Sequence, residues 1–454
     1  MPAAHSIDVR ELINNRPLGR YQKLILFLGF CMIALDGFDV AALSFIAPEL
    51  RTLWGIDSQT LGPVFSAALL GLAIGALVAG PLADKLGRKL VLVTSVFFFG
   101  FWTLATAWSA DVPHLILFRF LTGLGLGASM PNVGTLIAEF APEKKKSFLV
   151  TVAFCGFTFG AAGGGFLSAW MLPHYGWQSI LILGGVLPIL FTPILLLLLP
   201  ESVRFMVVKQ KAQQRIRQVV EKIAPGSTTE HSRFVMASAV ATQQSSIGVV
   251  LSPTYRFGTY MLWLAYFMAL FVVYLIGSWL PTLVKETGYS VAEAAIITAC
   301  FQIGGTAGSL FCGWSMDRAE PHKILFRTYF AGGILLLGLG LVAHSFALLA
   351  LLALMIGFCF NGANTGMNAL SAGYYPTEAR ATGSSWMHGV GRWGAILSGF
   401  AGAQMLAMGL SFSQVFALLA LPALITAVAL YAKGRQNTQP LAAASAVQAL
   451  AQKA

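Results

Sequence analysis

The chain has 454 residues, of which 57% are hydrophobic and only 10% charged, with a formal net charge of +11. A soluble chain of this length divides into about three domains and carries roughly 25% charged residues, so a water-soluble globular protein is excluded. The basic balance does not point to nucleic acid either, because it is confined to short stretches between long apolar runs.

In chain order, residues 1–23 are polar and mixed in charge, and are expected to form a cytoplasmic N-terminal segment. No cleavable signal peptide is expected, since the first apolar run is too long for a signal h-region. Crossing the hydrocarbon core takes about 20 apolar residues. Twelve runs reach that length: 24–47, 61–81, 90–109, 112–137, 148–172, 178–199, 258–280, 291–315, 324–343, 346–370, 382–404 and 411–432. Pro48 and Pro281 are expected to end the first and seventh spans. Between the sixth and seventh lies a polar, basic linker, 200–257, with an amphipathic helix expected around 207–223. Residues 433–454 are expected to form a cytoplasmic tail. The fold class is therefore an all-α polytopic membrane protein.

Of the 29 Lys and Arg, 25 fall in the termini and the even-numbered loops, whereas the odd-numbered loops hold only Arg51 and Lys285. By the positive-inside rule, both termini and the linker face the cytoplasm. Arg119 and Arg392 fall inside spans. All five cysteines also lie within spans, at no metal-ligand spacing, and are read as packing residues.

Landmarks recur at a fixed offset. Pro48 answers Pro281, Gly80 answers Gly313 and Asp84 answers Asp317, each 233 residues later; Gly123 answers Gly357 and Pro142 answers Pro376, 234 later. The chain thus reads as two six-span halves, 24–199 and 258–432, of one duplicated unit. Repeated halves around a central site are an architecture of secondary transporters.

Charges within the spans are costly and mark function. ALDGFDVAAL, residues 34–43, sets Asp36 and Asp39 on one helical face, three apart and roughly 18 and 22 Å from the cytoplasmic end. Arg119 lies at a similar depth to Asp39, so an Asp39–Arg119 pair is one expectation. Arg392 falls near the midplane of the eleventh span, one turn after His388. A lone buried His is more often a neutral hydrogen-bonding group than a ligand contact. Asn361, Asn364 and Asn368 stripe the tenth span, where hydrogen bonds between helices are the safer reading. Phe267, Phe271 and Tyr274 stripe the seventh, where packing is the safer reading.

GPLADKLGRK, residues 80–89, resembles the loop between the second and third helices of the major facilitator superfamily. There Gly80 is expected to permit close helix approach, Gly87 a tight turn, and Asp84 with Arg88 a conformational latch. GWSMDRAEPHK keeps Gly313 and Asp317 but lacks the Gly-Arg. FRFLTGLGLGA (118–128), GFTFGAAGGG (156–165) and LPESVRF (199–205) are similar to the fourth-, fifth- and sixth-helix patterns of the same superfamily. Asp-Gly-x-Asp at 36–39, MPN at 130–132, YPTEARATG at 375–383 and GVGRWGA at 389–395 resemble its aromatic acid:proton symporters, whereas His388 is a departure from that pattern.

The resemblance implies a major facilitator fold of twelve helices in two six-helix halves, in the inner membrane of a bacterium. It implies uptake of an aromatic carboxylate such as 4-hydroxybenzoate or protocatechuate together with protons. No enzyme activity, metal or cofactor is expected, and a monomer is the expected functional unit. Asp36 and Asp39 are the expected proton-coupling pair. Arg392, Arg119, His388, Phe38, Tyr274 and Trp393 are the expected substrate contacts, and Gly80, Asp84, Gly87, Arg88, Glu139, Asp317 and Arg380 the expected latch or gate. The alternative is a porter of another organic acid or a sugar, suggested by PESVRF alone. An intramembrane enzyme lacks a set of catalytic groups at one depth, and a primary pump lacks a phosphate-binding Gly-rich loop with Lys-Ser/Thr.

Overall fold

The computed structural model describes residues 6–209, 213–228, 233–235, 246–316, 318–375 and 379–451. Among them are twelve helices of 19 to 40 residues. In chain order these are α1 (Arg20–Trp54), α2 (Ser58–Leu86), α3 (Arg88–Thr106), α4 (Val112–Phe140), α5 (Lys146–Tyr175), α6 (Trp177–Leu198), α7 (Arg256–Glu286), α8 (Val291–Met316), α9 (Pro321–Leu341), α10 (Phe346–Tyr374), α11 (Arg380–Ala407) and α12 (Phe412–Ala451). Eleven are long and apolar enough to cross a membrane. The twelfth, α11, is equally long at 28 residues, but its first half carries His388, Arg392 and several serines and glycines.

Two helix ends differ from expectation. Pro48 lies inside α1 and Pro281 inside α7, and both helices run on beyond them. A proline removes one N–H and tilts one turn, which neighbouring groups in a membrane protein can satisfy. The carbonyl of Pro48 itself, near the end of α1, takes extra donors: Thr52 Oγ1 at 3.0 Å and Lys285 Nζ at 3.3 Å.

The chain divides into two compact units. One comprises Met1–Ala42, Ala67–Leu167 and His174–Ala241; the other comprises Leu43–Ser66, Ser168–Pro173 and Thr242–Ala454. The stretches 43–66 and 168–173, which belong to the expected N-terminal half, thus group with the second unit.

The core of the first unit joins α1 (Leu28, Met32), α3 (Val96, Phe99) and α4 (Val133, Leu136). It also takes in polar-looking segments, among them the amphipathic helix expected around 207–223. A short helix, Gln213–Ile223, buries Ile216, Val220 and Ile223 at i, i+4 and i+7. Strand β1 (Ser6–Asp8) pairs in parallel with β2 (Arg233–Val235), an element with no signal in the sequence pattern. Asp8 then caps the helix Val9–Asn14, whose Val9 and Ile13 are buried. Arg10 donates to the Ala141 carbonyl at 3.1 Å and Gln22 to the Phe140 carbonyl at 2.6 Å, satisfying the last carbonyls of α4.

Within the second unit, Trp279, Phe301, Tyr329, Phe360 and Phe416 are fully buried. Arg51, near the end of α1, pairs with Glu286 at the end of α7 at 2.6 Å.

The internal repeat is visible in the packing. A Cβ at Gly71, Gly75 or Gly123 would collide with the carbonyls of Phe120, Leu124 and Ala68, so α2 and α4 approach backbone to backbone. A Cβ at Gly304, Gly308 or Gly357 would meet the carbonyls of Leu354, Phe358 and Phe301 in the same way between α8 and α10. Each residue of the second set lies 233 or 234 positions after its counterpart in the first. The duplication therefore preserves a small-residue interface, the device by which helices pack without a hydrophobic driving force.

Candidate functional site

The intramembrane charges do not follow the repeat, and the two units hold different sets. In the first unit, α1 and α4 bring Asp39 against Arg119. The guanidinium Nη2 lies 3.1 Å from Asp39 Oδ2, Nη1 lies 3.3 Å from Oδ1, and both side chains are essentially inaccessible. Thr103 of α3 donates a further bond to Asp39 Oδ1. Asp39 therefore has acceptors filled from two helices, and both Nη groups of Arg119 are taken by Asp39, while its buried Nε has no hydrogen-bond partner among the described residues.

Asp36, one turn before, is 2% exposed. Ser129 of α4 donates to its Oδ2 at 2.6 Å, while Oδ1 has no hydrogen-bond partner among the described residues. No cation among the described residues pairs with it. Its depth is set by close packing on either side, since a Cβ at Gly37 would collide with the Phe157 carbonyl and one at Gly160 with that of Ala34. Phe38 is 6% exposed and packs against Gly184 of α6, so it belongs to the core of this unit.

In the second unit, α7, α10 and α11 assemble another polar group. Tyr266 Oη lies 3.1 Å from His388 Nδ1, with the rings edge to face at 5.1 Å. Arg392 is near enough for its charge to bear on both, and Asn368 faces the Tyr266 hydroxyl. Arg392 is partly exposed and has no carboxylate partner among the described residues. Tyr274 is half-buried, two turns after Tyr266 on α7, whereas Trp393 is 59% exposed and has no ring contact among the described residues. Of the asparagine stripe, Asn361 and Asn364 make the interhelical bonds the sequence suggested, to Gln302 at 3.5 Å and from Tyr329 at 2.9 Å.

The end of α2 and the start of α3 hold a third cluster, again in the first unit. Gly87 adopts φ +103°, where a side chain is strained, and so permits the turn. Arg88 reaches Glu139 of α4 at 3.0 Å and Asp84 at 3.8 Å, so its stronger partner is Glu139. Glu201 accepts from the backbone N–H groups of Arg88 at 2.8 Å and Lys89 at 3.2 Å, capping α3. Ser202 donates to Glu139. Gly80 differs from expectation: a Cβ there meets nothing within 4 Å, and the close approach along α2 is made at Gly71 and Gly75 instead. Arg380 opens α11 as an exposed side chain. Asp317 lies outside the described residues, as do Pro376 and Glu378 of YPTEARATG.

Sequence reasoning did not single out Thr103, Ser129, Glu201 or Tyr266. Glu201 had a signal, since it stands in LPESVRF. Thr103 and Ser129 had none, because a hydroxyl residue in an apolar helix usually bonds its own preceding turn.

The sequence profile of the Major Facilitator Superfamily matches residues 29–261 and again 262–452. The 4-hydroxybenzoate transporter PcaK of Pseudomonas aeruginosa is 48% identical over 435 residues, covering 96% of this chain and 97% of its own. The gallate transporter of Pseudomonas putida is 45% identical over 445 residues, covering 98% and 99%. The benzoate transport protein of Acinetobacter baylyi is 33% identical over 440 residues, covering 94% and 93%. Among solved structures, a D-xylose-proton symporter superposes with a TM-score of 0.70 over 90% of this chain and 97% of its own, at 17% identity, which speaks to the fold alone. With a duplicated twelve-helix fold, a profile that matches each repeat, and relatives alike over nearly their full length, the chain belongs to the Major Facilitator Superfamily and to its family of aromatic acid transporters.

Proposed function

We propose that the protein takes up an aromatic carboxylate together with protons across the inner membrane of a bacterium, acting as a monomer by alternating access, with both termini and residues 200–257 in the cytoplasm. The observation that carries the reading is that two ionisable side chains, Asp36 and Arg392, stand in the spans without a counter-ion among the described residues. A charge at such depth without a partner is costly and marks an ion or substrate path. Relatives named for 4-hydroxybenzoate, gallate and benzoate share one chemical group, a carboxylate on an aromatic ring.

Arg392 is suited to that carboxylate, because a guanidinium offers two parallel N–H donors. Asp36 takes the proton, which removes a negative charge that would repel the incoming anion. Anion and proton then favour each other's binding and enter with little net charge, so an inside-negative potential does not oppose them. Asp39 orients Arg119, which becomes a second anion contact only when the pair opens. Arg88, Glu139 and Glu201 form the conformational latch. 4-Hydroxybenzoate and protocatechuate are the leading substrates. Uptake of a labelled panel of hydroxybenzoates by expressing cells, with and without a proton uncoupler, tests this. The expected result is accumulation that the uncoupler abolishes; accumulation indifferent to the uncoupler would reject the proton coupling.

A further inference from the structure

The polar stripe on α10 is uneven. Asn361 ties α10 to α8 and Asn364 ties it to α9. Asn368, one turn further on, has a buried carbonyl oxygen with no hydrogen-bond partner among the described residues. Leaving such an acceptor unpaired is costly, so an orphan of this kind calls for an explanation.

Its surroundings supply one. The Asn368 side chain faces the Tyr266 hydroxyl, and that hydroxyl meets His388 Nδ1 at 3.1 Å. A tyrosine hydroxyl has one proton to give. With that proton given to His388 Nδ1, the Tyr266 hydroxyl has none to offer Asn368 Oδ1. Tyr266 of α7 thus meets His388 of α11 and faces Asn368 of α10, and among these three side chains Asn368 Oδ1 is the buried polar atom left without a hydrogen-bond partner among the described residues.

The position of this acceptor relative to Arg392 is the second observation. His388 and Arg392 are four residues apart on α11, about 6 Å along the helix axis. That rise is comparable with the length of a benzoate from its carboxylate to a hydroxyl on the opposite ring carbon. An aromatic acid held by its carboxylate at Arg392 and lying along α11 therefore brings that hydroxyl beside the His388–Tyr266–Asn368 group.

We infer that Asn368 Oδ1, held in place by Tyr266, accepts the proton of a phenolic hydroxyl opposite the substrate carboxylate, and that Asn368 is thereby the specificity-determining residue for hydroxylated over unsubstituted benzoates. The inference rests on the reading of Arg392 as the carboxylate clamp. A site built to bond a substrate hydroxyl discriminates strongly against the analogue that lacks it, because its own polar group is then left unpaired.

Equilibrium binding to the purified, detergent-solubilised protein tests the inference, with benzoate, 4-methylbenzoate and 4-hydroxybenzoate as probes. Wild type is expected to bind 4-hydroxybenzoate at least about tenfold more tightly than the other two. Asn368→Leu, of nearly the same shape, is expected to bring the ratio of 4-hydroxybenzoate to benzoate affinity close to one, with a thermal unfolding transition like that of wild type showing that the variant is folded. Asn368→Ser, which retains a small acceptor and adds no bulk, is expected to keep part of the preference. A full preference in Asn368→Leu, or an equal weakening of all three acids in both variants, overturns the role of Asn368 and leaves the Arg392 clamp standing. Wild-type protein that binds none of the acids overturns the clamp and this inference together.

Discussion

Asp39 and Arg119 close on each other inside the first unit at 3.1 Å, with side chains 0% and 1% exposed. Removing one partner of such a pair strands a buried charge, at a cost of about 3–5 kcal/mol. Asp39→Asn and Arg119→Gln are each expected to lower the thermal unfolding temperature of the purified protein by several degrees. The double variant is expected to recover part of that loss, because it strands no charge. Strictly additive effects in this cycle would show that the two residues do not act as a pair.

Asp36 keeps its Ser129 bond in Asp36→Asn, since the amide oxygen accepts as the carboxylate did. The variant is expected to fold and to exchange substrate in proteoliposomes, but to lose uphill accumulation driven by an imposed proton gradient. Full accumulation by both Asp36→Asn and Asp39→Asn removes these acids from the coupling.

Arg392→Lys keeps the charge but loses the two-pronged geometry. Uptake at low substrate concentration is expected to fall at least about tenfold, in line with the loss of one charge-assisted hydrogen bond. The neutral amide of the substrate is expected not to compete. Equal competition by the amide excludes a carboxylate clamp.

Glu201 caps α3 through two backbone N–H groups. Glu201→Ala is expected to cost about 1–2 kcal/mol, as loss of a good cap does. Gly87→Ala is expected to cost more, because the φ of +103° is strained for alanine and its Cβ would collide with the Glu201 carboxylate. Thermal unfolding of both variants beside wild type checks the order; equal stability would remove the turn from the latch.

Orientation is tested at the linker. With residues 200–257 in the cytoplasm, Ser227→Cys in a cysteine-free background is expected to react with an impermeant maleimide only after the membrane is permeabilised. Labelling in intact cells inverts the topology.

The spans, their number and the duplication were legible from the chain alone, because crossing a bilayer imposes a length and a composition that are properties of a linear sequence. Asp36, Asp39, Arg119 and Arg392 stood out for the same reason, as charges where lipid makes charge expensive. The glycines at positions 71, 75 and 123 and their counterparts at 304, 308 and 357 carried the repeat into the packing. Apart from the Asp39–Arg119 pair and the asparagine stripe, which were among its expectations, the sequence left the relationships between helices open. Nothing in the order of residues says how far one helix is rotated or shifted against another. That relation decided that Arg119 is closed by Asp39 while Arg392 has no such partner among the described residues, and that Ser129 reaches Asp36. It likewise decided that Glu201, over a hundred residues away, caps α3, that a Cβ at Gly80 would meet nothing within 4 Å among the described residues, and that Pro48 and Pro281 are carried within longer helices. The parallel pairing of Ser6–Asp8 with Arg233–Val235 belongs to the same class, because three-residue strands carry too little periodicity to be read and form only where the folded chain brings them together.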